Sequence, residues 1–88
     1  MNRTMLDILK ERLFDGLAIV SVKETNTKYT ITFEYDESRA KAELPKSCNP
    51  NFCNEVADRT ICTAMSTIYF NRGEFDKAQE WLDKLLVS

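Results

Sequence analysis

The stretch from Phe52 to Phe70 constrains the fold more than any other part of the chain. On a helical wheel it shows one broad apolar face, formed by Ala57, Ile61, Ala64, Met65 and Ile68. A helix on the surface of a globular protein has a single apolar stripe, but this stretch adds a partial second one, formed by Phe52, Val56 and Phe70. It therefore predicts a central helix that packs against other elements on two sides.

The length and charge of the chain limit what it can be. Its 88 residues suffice for one core, and we expect a single domain over residues 1–88. The net charge of −2 argues against a module that binds nucleic acid by neutralising phosphates. No apolar run approaches the roughly 20 residues that span a bilayer, and the charged N-terminal residues exclude a signal peptide. We expect a cytoplasmic protein without a membrane partner, of a size typical of accessory proteins of phages and mobile elements.

A first helix is predicted from about Met5 to Asp15. Thr4 is a good N-cap residue, and Asp7 in the first turn is favoured by the helix dipole. Apolar residues then recur at intervals of three and four, and Gly16 can take the left-handed conformation that ends a helix.

Two strands follow, and a third is favoured. The segment Leu17–Lys23 is rich in β-branched residues, and Lys28–Tyr35 alternates polar and apolar residues with a period of two. Residues 25–27 form the turn between them. Residues 38–44 also alternate, although they include good helix formers. Because a hairpin of two strands is marginal in water, we favour a third strand there and leave a helix as the alternative.

The C-terminal half predicts two antiparallel helices. Asn49 and Pro50 suit the start of the central helix. The turn at residues 71–73 leads into a last helix from about Glu74 to Leu86, whose apolar stripe includes Trp81. The predicted fold class is therefore α+β, in the order α-β-β-β-α-α, with an N-terminal helix, a three-stranded antiparallel meander and a C-terminal helical hairpin.

Residues 62–88 resemble one tetratricopeptide repeat, a helix-turn-helix unit. The matching positions are Ser66, Tyr69, Gly73, Phe75, Ala78 and Leu82. The resemblance implies the geometry of a helical hairpin. It implies no ligand site, because such repeats build their binding surface from several stacked units and the pattern occurs here once.

The residues offer little for catalysis. The chain contains no histidine, which removes the commonest general base and the commonest metal ligand. We expect no cofactor, no metal and no enzymatic activity. The three cysteines are expected to be reduced thiols, of which Cys53, in the first turn of the central helix, is the one candidate for a reactive or sensing thiol.

The leading functional hypothesis is a non-catalytic protein-interaction module: an adaptor, regulator or inhibitor that binds another protein or a second copy of itself. Its predicted interface residues are Tyr29 and Tyr35, which end the aromatic row of the second strand and are expected to reach solvent, and Trp81. One alternative is a nucleic-acid-associated regulator, with contacts from Arg39, Lys41, Lys46 and Arg59. The other is a sensor that uses Cys53.

Overall fold

The computed structural model describes residues 4–87, with side chains described for residues 4–85. It confirms the α+β fold in the predicted order. The elements are α1 (Met5–Glu11), β1 (Leu17–Glu24), β2 (Lys28–Tyr35), β3 (Ser38–Pro45), α2 (Cys53–Asn71), preceded by a 3-10 turn at Pro50–Phe52, and α3 (Phe75–Val87). None of the helices within residues 4–87 is long and apolar enough to cross a membrane.

Helix α1 begins where its cap predicts but ends early. The Thr4 hydroxyl accepts a hydrogen bond from the Asp7 amide, and the Asp7 carboxylate accepts one from the Thr4 amide, each at 3.1 Å. The helix then ends at Glu11 instead of Asp15. At this end the Arg12 amide donates to the Leu9 carbonyl at 3.0 Å, and the Arg12 guanidinium pairs with Asp58 on α2, with 2.8 Å between Nη2 and Oδ2. Gly16 has the predicted positive φ, +96°, but in the turn before β1.

The sheet is an antiparallel meander in the order β1-β2-β3. Residues 38–44 are a strand, as favoured, because their alternation places Ala40, Ala42 and Leu44 in the core. Ile31 and Phe33 on β2 are fully buried on the same face. Strand β1 is an edge strand with a bulge between Ile19 and Ser21, and beyond it most of the strand is exposed.

The turn between β2 and β3 consists of two residues in a left-handed conformation. Asp36 has φ +50° and Glu37 has φ +67°. Two positive φ values between paired strands are typical of a type I′ turn, whose twist matches that of the strands. Neither residue is glycine, so the tight connection is made against a steric preference.

Helix α2 is the centre of the molecule, as predicted. Its apolar face packs on β3 and α1, and α3 packs on its other side. Asn49 caps the preceding 3-10 turn, with its side chain accepting a hydrogen bond from the Asn51 amide at 2.9 Å. Of the residues in the predicted second apolar stripe, only Val56 packs against the core. Phe52 and Phe70 remain exposed, because α3 packs closely on α2 at Ser66 and touches Phe70 only through the ring of Phe75.

The left-handed turn gives a prediction about stability. Replacing Glu37 by glycine should raise the free energy of unfolding by about 0.5–1 kcal/mol, because glycine removes the steric cost of the positive φ and loses part of that gain to backbone entropy. Chemical denaturation of both proteins measures the difference. Glu37→Ala, which keeps the steric cost, is the control. A Glu37→Gly protein less stable than Glu37→Ala would contradict the turn described here.

Candidate interaction surface

Two exposed phenylalanines flank the turn between α2 and α3. Phe70 and Phe75 are 61% and 59% exposed, the highest values among the large apolar side chains described. Their rings meet edge to face, with centroids 5.2 Å apart. They border a depression of about 310 Å³ between the two helices, here called the hairpin groove, which is lined by Ser66, Thr67, Phe70, Phe75, Ala78, Gln79 and Leu82.

The sequence places these rings outside the core for a geometric reason. Phe70 follows the fully buried Ile68 by two residues, which turns it by about 200° round the helix, away from the sheet. The chain then reverses at Gly73, which has φ +79°, and the Glu74 amide donates to the Tyr69 carbonyl at 2.9 Å. Phe75 begins α3 directly after this turn. The two rings therefore meet on the outer side of the hairpin.

The floor of the hairpin groove is a close contact between the two helices. The buried Ser66 hydroxyl donates to the Ala78 carbonyl at 3.1 Å, and Ala78 is itself buried. Small side chains at this crossing let the helices approach and leave the larger Phe70, Phe75 and Leu82 at the rim. Neighbouring exposed apolar side chains with polar residues such as Gln79 at their edge are typical of a binding interface.

Two of the predicted interface residues lie in a second feature, a row of four half-buried aromatic rings. The aromatic row runs Trp81, Phe14, Tyr35 and Tyr69, with successive centroids 5.7, 5.8 and 6.2 Å apart. Phe14 thus connects Tyr35 to Trp81. The rings pack on one another and join α3, the α1–β1 connection, the end of β2 and α2.

Cations cover the two ends of the aromatic row. The Lys84 ammonium lies 3.8 Å from the centroid of the Trp81 ring, and Arg72 and Lys77 lie 5.9 and 5.5 Å from that of Tyr69. Burial, followed by a hydrogen bond with Tyr35, raises the pKa of the Tyr69 phenol. The side chains of Trp81 and Tyr35 are therefore partly covered by other residues of the same chain.

The expectation that Tyr29 reaches solvent is wrong. Tyr29 is 9% exposed and belongs to the core cluster, and the Lys46 ammonium lies 5.4 Å from its ring centroid. Tyr35 lies at the other end of the strand, about 20 Å away, where it packs on Phe14 and Tyr69. The position of Tyr29 at a strand end suggested exposure, but the segment after β3 folds over it.

The structure does not bring the four predicted nucleic-acid contacts together. Arg39 and Lys41 line one open depression of about 660 Å³, and Arg39 pairs with Glu34 at 2.9 Å. Lys46 pairs with Glu24 across the other end of the sheet, whereas Arg59 lines a pocket beside α3. The positive charges are thus dispersed, and two of them are neutralised by neighbours.

The cysteines occupy two environments. Cys62 is buried beneath α3, and burial raises the pKa of its thiol. Cys53, the predicted reactive thiol, is half-buried with its Sγ 2.9 Å from the Sγ of Cys48. Within residues 4–87, no three side chains of the types His, Cys, Asp and Glu are grouped so that they could hold a metal ion.

Comparison with known proteins adds no relative: no family model, curated protein or solved structure matches the chain.

The most exposed rings, Phe70 and Phe75, were not among the predicted interface residues. The sequence places Phe70 on the second apolar stripe of the central helix and Phe75 at the aromatic position of the tetratricopeptide-like hairpin. A signal was present, since Phe70 falls opposite the main apolar face of its helix. The wheel alone cannot tell a face that α3 covers from one that water covers.

The aromatic row predicts a measurable coupling between Phe14 and Trp81. Each change to alanine should destabilise the protein, and the double variant should lose less than the two single losses together, by about 0.5–1.5 kcal/mol, because the stacked pair can be lost only once. Urea denaturation of the four proteins measures this. Phe52→Ala combined with Trp81→Ala is the control, with no coupling expected. Additive losses for Phe14 and Trp81 would contradict the stacking.

Proposed function

We propose that this protein is a non-catalytic interaction module, cytoplasmic in location, that binds another polypeptide through the hairpin groove. The observation that carries the proposal is the exposed pair of Phe70 and Phe75 at the rim of that groove. Aromatic side chains are enriched among the residues that contribute most to binding energy in protein interfaces. A polypeptide that covers both rings removes apolar area from water without any rearrangement of the core.

The shape of the hairpin groove favours an amphipathic helix as the bound segment. Two antiparallel helices that cross at the small residues Ser66 and Ala78 present parallel ridges on their outer side. A third helix can lie along them with apolar residues at intervals of three and four, the pattern of helix-in-groove recognition. That helix belongs either to another protein or to a second copy of this chain. The resemblance to a tetratricopeptide repeat enters the proposal only as the packing of α2 on α3.

The other hypotheses have less support. A nucleic-acid regulator requires a continuous basic surface, and Arg39, Lys41, Lys46 and Arg59 are dispersed over three parts of the molecule. Tyr35 and Trp81 lie in the aromatic row and are already packed on Phe14. Of the three residues first proposed for the interface, none lines the hairpin groove.

The double substitution Phe70→Ser and Phe75→Ser tests the proposal. It should weaken binding of the partner at least tenfold, about 1.4 kcal/mol, because the two anchors are removed. The wild-type protein and the double variant are immobilised side by side, and the partner proteins that each one captures are quantified by mass spectrometry. The affinity of each purified partner for the two proteins is then measured by calorimetry. Sedimentation velocity of the same proteins measures self-association.

Phe52→Ser is the matched control, since Phe52 is 50% exposed but lies outside the hairpin groove. It should leave binding and self-association unchanged. The proposal is overturned if partners bind the double variant as tightly as the wild type, or if the double variant and Phe52→Ser lose binding equally. Thermal denaturation confirms that all three proteins are folded at the temperature of the binding measurement.

A further inference from the structure

The close contact between Cys48 and Cys53 is not used by the proposed interaction surface. Their Sγ atoms are 2.9 Å apart. The pair lies at the N-terminal end of α2, whereas the hairpin groove lies toward its C-terminal end. A disulfide has its sulfur atoms at about 2.0 Å. The two sulfurs are therefore about 0.9 Å further apart than in a disulfide.

The turn between the two cysteines is held by its own hydrogen bonds. The Asn49 side chain accepts from the Asn51 amide at 2.9 Å, and the Asn49 carbonyl accepts from the Phe52 amide at 2.8 Å. Pro50 fixes one backbone angle within this turn. The Cys53 thiol is also directed to the Asn49 carbonyl, at 3.6 Å. The fold thus holds both thiols in place before any reaction.

The third sulfur nearby belongs to Met5, whose Sδ lies 3.4 Å from Cys48 Sγ. Met5 is buried, whereas Cys48 and Cys53 are half-buried, so small solutes can reach the pair from one side. The remaining thiol, Cys62, is buried in the middle of α2 beside α3. The chain therefore contains one accessible pair and one secluded thiol.

We propose that Cys48 and Cys53 form a reversible disulfide by exchange with a small-molecule disulfide of the glutathione type. One thiolate attacks a sulfur of the oxidant, its S–S bond breaks, and one thiol leaves as the first product. The second cysteine then attacks the mixed disulfide, forms the Cys48–Cys53 bond and releases the second thiol. Two electrons pass from the protein dithiol to the oxidant, and two small-molecule thiols are produced for one protein disulfide.

The contact between the two thiols allows either of them to act first. The hydrogen bond with Cys53, followed by burial, raises the pKa of the Cys48 thiol. Since the thiolate is the attacking species, either cysteine can begin the exchange, and the other, whose Sγ lies 2.9 Å away, resolves the mixed disulfide. Cys53 is the thiol that the sequence had singled out, and its partner is the residue that only the folded chain supplies.

Equilibration in glutathione redox buffers tests the proposal directly. Samples are quenched with acid and alkylated, and tryptic cleavage after Lys46 and Arg59 releases both cysteines in the peptide 47–59, while Cys62 lies in the next one. The disulfide appears as peptide 47–59 without alkylation and lighter by two hydrogens. The synthetic peptide 47–59 in the same buffers is the control without the fold.

The native protein should form the disulfide with an equilibrium constant at least tenfold above that of the free peptide, and dithiothreitol should reverse it. Cys62 should remain alkylated throughout. Cys48→Ser should accumulate the mixed glutathione disulfide on Cys53, and Cys62→Ala should behave as the wild type. An equilibrium constant equal to or below that of the peptide overturns the proposal, as does a preferred link to Cys62 or to a second chain. None of these readouts depends on a binding partner.

Discussion

Helix α2 lies against β3 through small side chains on both elements, and the rest of the structure depends on that contact. Ala57 and Ala64 on the helix are fully buried, and Ala40 and Ala42 on the strand face them from the sheet. Alanines on both sides let the helix approach closely. The Thr60 hydroxyl then reaches the Glu43 carbonyl on β3 at 3.2 Å. With α2 fixed in this way, Leu44, Ile31 and Phe33 are sealed from water beneath it.

The position of α2 determines where α3 can lie. One side of α2 is taken by β3 and α1, so α3 packs on the side that carries Ser66 and Tyr69. The aromatic row then forms where α3 meets the α1–β1 connection, through Trp81 and Phe14. No element covers the outer side of the hairpin in the part of the chain that the structure describes, and Phe70 and Phe75 remain there in contact with each other. The proposed binding surface is the side of the helical hairpin that does not take part in the core.

Charged residues contribute little to this arrangement. The described ion pairs, such as Arg39 with Glu34 and Arg72 with Asp36, lie at the surface and join neighbouring elements. Exposed pairs of this kind contribute at most about 1 kcal/mol each. The pair of Arg12 and Asp58 has two hydrogen bonds and joins the end of α1 to α2. The apolar contacts of α2 decide the fold.

Local patterns in the sequence predicted most of the fold. The capping residues Thr4 and Asp7, the alternation in β2 and the small residues of α2 each specify an element without reference to the others, which is why the element order was predicted. The end of α1 was predicted too late because Gly16, taken as the residue that ends the helix, has its positive φ in the turn before β1. For residues 38–44 the sequence allowed either a helix or a strand. The strand was favoured because a hairpin of two strands is marginal in water.

The candidate site was predicted less well, because exposure is a property of the assembled chain. The sequence by itself determined which residues are apolar and on which side of each helix or strand they fall. Only the tertiary structure decided that Tyr29 is buried in the core, that Phe70 stays exposed beside Phe75, and that Cys48 meets Cys53. Periodicity specifies direction within one element, whereas burial and contact depend on where the other elements pack.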